Sequence, residues 1–116
     1  MKKLFALLLM LAFATIVLAL DKGPEEIDMT GVFDVPKTTK KAVVFPHAFH
    51  QQNNECKECH MSPEGGKELR NIKTGEKLEV GTVKGTMNDV HKNFCWECHT
   101  EKKVPGGKSC TKCHKN

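Results

Sequence analysis

The chain has 116 residues and a formal net charge of +4. This length limits it to one small domain. One tryptophan and no tyrosine leave few large side chains for a conventional hydrophobic core, which a chain of this size fills only modestly in any case.

The N-terminus has the features of a signal peptide. Two lysines near the start precede an uncharged apolar run over residues 4–18, and Ala19 is a small residue at the expected cleavage position. We therefore predict a cleaved signal peptide over residues 1–19, a mature domain over residues 20–116 and a periplasmic location. An uncleaved membrane anchor is the alternative, although the apolar run is short for a spanning helix.

The mature chain begins with a polar, turn-rich stretch that contains two short β-type runs. These runs, residues 27–35 and 42–45, predict a small N-terminal hairpin. Pro46 ends the second run and is tolerated at the first position of a helical turn. His47 and His50 stand three residues apart on one face of that turn. They cannot lie opposite each other on one metal ion, so each would serve a different centre, unless both are ordinary surface histidines.

A long stretch without cysteine follows residue 60. Within it, residues 69–80 resemble a second hairpin with a short loop. Residues 87–94 predict a short helix that carries His91.

Three copies of the motif Cys-x-x-Cys-His use every cysteine in the chain, at residues 56–60, 95–99 and 110–114. This motif is the attachment signature of a c-type haem. The two thiols form thioethers with the haem vinyl groups, and the histidine binds the iron from one face. We therefore predict three covalently attached haems. The attachment residues are Cys56, Cys59, Cys95, Cys98, Cys110 and Cys113, and the proximal iron ligands are His60, His99 and His114.

Three histidines remain outside the motifs, namely His47, His50 and His91. Three six-coordinate irons with two imidazoles each require six histidines, and the chain has six. We predict that these three residues are the distal iron ligands, which would leave no iron with an open position.

Other uses of paired cysteines explain the pattern less well. Structural zinc prefers sets of four ligands and does not require a histidine after each pair. A scaffold of three disulfides would leave the adjacent histidines unexplained. Thioredoxin-like motifs need a strand and helix context that the sequence lacks.

The run over residues 44–50, Val-Phe-Pro-His-Ala-Phe-His, followed by the first motif, closely resembles the class III multihaem cytochromes c. This family includes tetrahaem cytochrome c3 and trihaem cytochrome c7. The resemblance covers residues 30–116. The tetrahaem branch has a further haem between the positions of Cys59 and Cys95, where this chain has no cysteine, so it looks like the trihaem branch. Residues 61–90 are longer than we expect for that branch.

The resemblance implies a small, mostly irregular fold, with a short N-terminal two-stranded hairpin and short helices wrapped around three haems. It also implies a pairing of distal with proximal ligands, which agrees with the separate roles argued for the two histidines after Pro46. The implied pairs are His47 with His60, His50 with His99, and His91 with His114.

The resemblance further implies a low-potential periplasmic electron carrier in the anaerobic respiration of sulfate, sulfur or metal ions, and not an enzyme. Expected partners are redox proteins such as hydrogenase, formate dehydrogenase or other multihaem cytochromes, without nucleic acid and without stable membrane insertion after cleavage. A metal-ion reductase and an electron-transfer subunit of a membrane redox complex are the alternatives.

Charge is distributed unevenly along the chain. Residues 20–35 are mainly acidic, whereas the last sixteen residues contain five lysines and one glutamate. We call these lysines the basic cluster, and they are expected either to steer docking to acidic partners or simply to form a solvated surface. The basic cluster comprises Lys102, Lys103, Lys108, Lys112 and Lys115.

Overall fold

The computed structural model describes residues 22–37 and 40–115. The predicted signal peptide, residues 1–19, lies outside these ranges. In the described ranges, no helix is long and apolar enough to span a membrane.

Short elements joined by long irregular segments make up the described chain. Two strands, β1 and β2, precede four α-helices, and a 3₁₀ turn and a π-helical turn interrupt the series. The predicted small fold of short helices and one N-terminal hairpin is confirmed in this coarse form. The elements are β1 (Ile27–Asp28), the 3₁₀ turn (Met29–Gly31), β2 (Val44–Phe45), α1 (His47–Gln51), α2 (Cys56–Cys59), the π-helical turn (His91–Cys95), α3 (Trp96–Glu101) and α4 (Cys110–Cys113).

The two strands pair antiparallel, with Ile27 opposite Phe45. They are shorter than predicted because the Asp28 carboxylate accepts hydrogen bonds from the Thr30 backbone N–H and hydroxyl, at 2.9 and 2.7 Å. This local bonding competes with the strand conformation and starts the 3₁₀ turn. The hairpin leads directly into α1, whose residue Ala48 donates its backbone N–H to the Glu25 carbonyl at 2.9 Å.

The segment between the first two motifs folds back as a hairpin-like loop, although it forms only isolated bridges. Arg70 pairs with Lys77, and Leu69 pairs with His60 at the end of the first motif. Gly75 has φ of +78° at the turn, a conformation that glycine adopts without steric cost. The Ile72 backbone N–H donates to the Asn93 carbonyl at 2.8 Å, which joins the loop to the π-helical turn.

The protein core is small. Among the described residues, the buried apolar side chains are Leu78, Val90 and Phe94, each 8% exposed. In contrast, Phe49 is 61% exposed and Met87 is 66% exposed. Polypeptide packing alone therefore leaves large apolar side chains exposed, as we expect if the predicted haems supply much of the core.

Candidate haem sites

Each Cys-x-x-Cys pair lies on one turn of helix. Both α2 and α4 begin and end at the two cysteines of a motif. In the second motif, Cys95 ends the π-helical turn and Cys98 lies one turn later in α3. Side chains three residues apart share a helix face. Each turn therefore presents its two thiols together, as attachment to adjacent vinyl groups of one haem requires.

The motif thiols are unpaired and mostly half-buried. All six cysteines lie in the described ranges, and none forms a disulfide. Burial raises the pKa of the Cys59 thiol to about 11 and that of Cys95 to about 12. It also raises the pKa of Cys98. The disulfide scaffold is thus not the arrangement observed, and burial favours the protonated form of these three thiols.

The six histidines lie in three facing pairs. The ring centroids of the first pair, His47 and His60, are 6.3 Å apart. Those of the second pair, His50 and His99, are also 6.3 Å apart, and those of the third pair, His91 and His114, are 6.4 Å apart. These are the three pairs that the resemblance implies.

The spacing within each pair matches two imidazoles on opposite sides of one metal. A metal–imidazole bond is about 2 Å long and the ring centroid lies about 1 Å behind the nitrogen, so two such rings are about 6 Å apart. A direct stack would bring the rings closer, and unrelated rings would have no common spacing. The three pairs of imidazoles therefore fit the ligation of three irons.

Hydrogen bonds orient five of the six imidazoles. In each, the Nδ1–H donates to a backbone carbonyl, which leaves Nε2 free to bind iron and makes it a stronger donor. The distances are 2.8 Å from His47 to Pro24, 2.9 Å from His50 to Pro46, 2.6 Å from His91 to Thr86, 2.5 Å from His99 to Gly107 and 2.6 Å from His114 to Lys41.

Two of these acceptors come from distant or tightly packed backbone. Lys41, just before β2, lies 73 residues from His114 in sequence, so the N-terminal hairpin fixes the last predicted proximal ligand. Position 107 requires a glycine because its backbone lies close to His99, and a Cβ there would be 2.6 Å from the His99 Cβ. The Pro-Gly-Gly break before the third motif therefore also positions His99, the second predicted proximal ligand.

His60 is the exception among the six histidines. Its Nδ1 is buried and has no hydrogen-bond partner in the part of the chain that the structure describes. A buried donor without an acceptor is costly, and this imidazole lacks the hydrogen bond that would strengthen the other five as ligands. The first pair thus contains the least supported of the predicted proximal ligands.

Aromatic side chains pack against the distal histidines. The rings of Phe45 and His50 are 4.2 Å apart, and Phe49 meets His50 edge-on at 5.8 Å. Burial lowers the pKa of His50, which favours the neutral imidazole that metals bind. Trp96 stacks face to face on His91 at 4.5 Å, with only 5° between the planes.

Sequence reasoning missed two residues of this site. Trp96 lies between the cysteines of the second motif, where the motif allows any residue. Only the large size of its side chain could have indicated a role in the site. Asn88 accepts the His91 backbone N–H at 3.0 Å and donates to the Gly85 carbonyl at 2.7 Å. Its position three residues before His91 is typical of a helix-starting asparagine.

The lysines of the basic cluster are exposed, but two of them form hydrogen bonds within the chain. Lys102 donates to Glu58 at 2.6 Å, and Lys112 donates to the Pro105 carbonyl at 3.1 Å. Lys103, Lys108 and Lys115 are exposed near α3 and α4. The surface available for docking is therefore smaller than the five lysines of the sequence suggest.

Comparison with known proteins agrees with these sites. A model of the class III cytochrome c family matches residues 24–116, which is most of the chain. No curated protein and no solved structure matches. The matched range includes all three attachment motifs and all six histidines, and the chain therefore belongs to the class III cytochrome c family.

Proposed function

We propose that this protein is a periplasmic, low-potential electron carrier of the trihaem branch, with one c-type haem on each motif and two histidines on each iron. Membership of the class III family makes it an electron-transfer multihaem cytochrome with covalently bound haem. The observation that supports three haems is the common spacing of the three histidine pairs, 6.3 to 6.4 Å.

The proposed residue roles follow from the pairs. The motif cysteines form thioethers that anchor each haem to a helical turn. The proximal ligands are His60, His99 and His114, and the matching distal ligands are His47, His50 and His91. With both faces of each iron held by imidazole, the side chains exclude exogenous ligands.

Bound haem supplies a one-electron Fe(III)/Fe(II) couple. The chain favours its oxidised form, because neutral imidazoles whose Nδ1–H groups donate to carbonyls are strong donors to Fe(III). A short mature chain, residues 20–116, would also leave much of the surface of three haems exposed to solvent. Both features support potentials in the low part of the haem range.

The arrangement supports a carrier better than an enzyme. A reductase that binds its substrate at iron needs an open coordination position, whereas each of the six histidines faces another histidine. Anaerobic respiration, with a hydrogenase, formate dehydrogenase or another cytochrome as partner, remains part of the proposal on family grounds.

The test is the intact mass and spectrum of the protein purified from the periplasm. We expect a polypeptide that begins at Leu20 and carries three haem masses, a low-spin spectrum in both oxidation states and no carbon monoxide binding after reduction. Two haems or fewer would contradict the haem count. A retained N-terminal segment would instead favour a subunit of a membrane complex, and carbon monoxide binding would favour a reductase.

A further inference from the structure

Trp96 has a contact that its place in the second motif does not require. It lies between Cys95 and Cys98, which attach the second haem under the proposed function, yet its indole contacts His91, the proposed distal ligand of the third haem. One side chain therefore touches the parts of the chain that hold two different haems.

The π-helical turn brings these two residues together. In a regular α-helix, residues five apart point in different directions. Here the Trp96 backbone N–H donates to the His91 carbonyl, five residues earlier, so the extra residue in the turn places one side chain over the other. Such π-helical insertions are rare and are often found at functional sites.

The stack and a hydrogen bond constrain His91 from two directions. The indole covers one face of the imidazole, with centroids 4.5 Å apart and planes 5° apart. The Thr86 carbonyl accepts from Nδ1 at the ring edge, at 2.6 Å. A contact at the face resists tilting of the ring, and a bond at the edge resists its rotation.

Within the described ranges, the other two proposed distal histidines have no comparable contact. Phe45 is tilted by 42° to His47 and by 36° to His50, and Phe49 meets His50 at 83°. The imidazole planes of His91 and His114 are 89° apart, compared with 78° in the first pair and 24° in the second.

We propose that Trp96 is a positioning residue for the third haem. Its indole holds the His91 imidazole nearly perpendicular to the imidazole of His114. This inference rests on the proposed bis-histidine ligation of the third iron. The angle between two axial imidazole planes determines the splitting of the iron d orbitals in low-spin Fe(III). The electron paramagnetic resonance spectrum therefore reports the orientation directly.

The first test uses the wild-type protein. In the fully reduced, diamagnetic state, nuclear Overhauser effects should connect the Trp96 indole protons with the His91 ring protons. A spectrum in which both residues are assigned and no such effect is seen would overturn the inference, without any question of misfolding.

The second test compares Trp96→Leu with Trp96→Phe. Leucine cannot stack, so the largest g value of the third haem should shift. Cyanide should also bind to that haem roughly tenfold faster, a change of the size by which mutations of residues that orient a metal ligand usually weaken metal binding. Phenylalanine keeps a flat ring and should restore the wild-type behaviour. Phe49→Leu, which removes an aromatic contact of His50 instead, is the control and should leave the third haem unchanged.

The outcomes separate this inference from the proposed function. Three bound haems with a wild-type resonance and cyanide rate in Trp96→Leu, or equal changes in Trp96→Leu and Trp96→Phe, would overturn the role of the stack. If Trp96→Leu loses its third haem during maturation, the wild-type Overhauser effects and the Trp96→Phe spectrum decide whether the stack positions His91. Fewer than three haems or high-spin iron in the wild-type protein would instead contradict the proposed ligation.

Discussion

The first and third histidine pairs have nearly the same spacing but are supported differently. In the third pair, both imidazoles donate to backbone carbonyls, and Trp96 covers one of them. In the first pair, His47 donates to Pro24 but the buried Nδ1 of His60 has no acceptor among the described residues. Under the proposed ligation, equal spacing of two histidine pairs therefore does not imply equal ligand strength, because backbone acceptors around the histidines would tune each ligand separately.

The largest expected effect comes from removal of a distal ligand. His91→Ala should leave the third iron five-coordinate or water-bound, so that the reduced protein binds one carbon monoxide per chain. His47→Ala should do the same at the first haem. Optical titration with carbon monoxide measures the stoichiometry.

Lys92→Ala is the matched control for this experiment. Lys92 lies in the same π-helical turn, and its side chain is exposed and contacts Asp89 at 3.4 Å, so its loss should create no binding site. Carbon monoxide binding to the wild-type protein, or none to His91→Ala, would count against the bis-histidine scheme.

The variants His47→Ala and His91→Ala also allow the proximal ligands of the first and third haems to be compared. With the distal ligand gone, the iron–histidine stretch of the reduced haem reports proximal bond strength. It should have a lower frequency in His47→Ala, where His60 lacks an acceptor, than in His91→Ala, where His114 donates to Lys41 at 2.6 Å. Resonance Raman spectroscopy measures both. Equal frequencies would mean that His60 finds an acceptor in the protein with haem.

A consequence for the wild-type protein is the order of reduction. A weaker donor stabilises Fe(III) less, so the first haem should have the highest potential of the three. Each tenfold change in the equilibrium between Fe(III) and Fe(II) corresponds to about 59 mV for one electron. A redox titration followed by nuclear magnetic resonance, which resolves individual haems, would refute this prediction if either of the other haems were reduced before the first.

Local sequence patterns predicted the parts of this molecule that depend on neighbouring residues. The motif thiols, the helical turn with His47 and His50, and the existence of the hairpin all follow from short-range spacing. The pairing of histidines required the family resemblance, because the partners in each pair lie up to 49 residues apart along the chain.

Features that depend on long-range backbone contacts were not predictable. No pattern indicates that the Lys41 carbonyl meets His114, or that His60 alone lacks an acceptor. The π-helical turn was also missed, since residues 87–94 read as an ordinary short helix. The strand lengths were overestimated because the hydrogen bonds of Asp28 favour a turn over a continued strand.

A smaller effect is expected at the surface that surrounds the third motif. Reversing the charge of Lys103, Lys108 and Lys115 should slow electron transfer to a negatively charged surface and flatten its salt dependence, because exposed charges steer association. A suitable probe is an electrode coated with a carboxylate-terminated monolayer. The control reverses Lys67, Lys73 and Lys84 in the loop between the first two motifs, which are equally exposed. Equal slowing in both variants would show that only net charge matters.

The smallest effect concerns the ion pair that joins the first motif to the end of the second. Glu58 in α2 accepts from Lys102, just beyond α3, at 2.6 Å, and both side chains are partly exposed, at 35% and 40%. Hydrogen bonds from Lys102, and then from its own helix start, lower the pKa of Glu58. For an exposed pair we expect Glu58→Gln to reduce the free energy of unfolding by about 0.5 kcal/mol at neutral pH.

The pH dependence distinguishes this ionic contribution from a packing effect. Because the folded pKa of Glu58 is below the ordinary value of 4.5, its stabilisation is fully present above that value and is lost as the pH falls through the lowered folded pKa. Denaturant unfolding of the protein with haem, followed in the Soret band, should therefore show a difference between wild type and Glu58→Gln at pH 7 that disappears in strong acid. Lys57→Ala removes an exposed pair with Glu55 on the same helix and should change little at either pH. A Glu58→Gln deficit that persists unchanged in acid would mean that the side chain stabilises α2 by its shape and neutral hydrogen bonds, and that charge does not couple the first motif to the second.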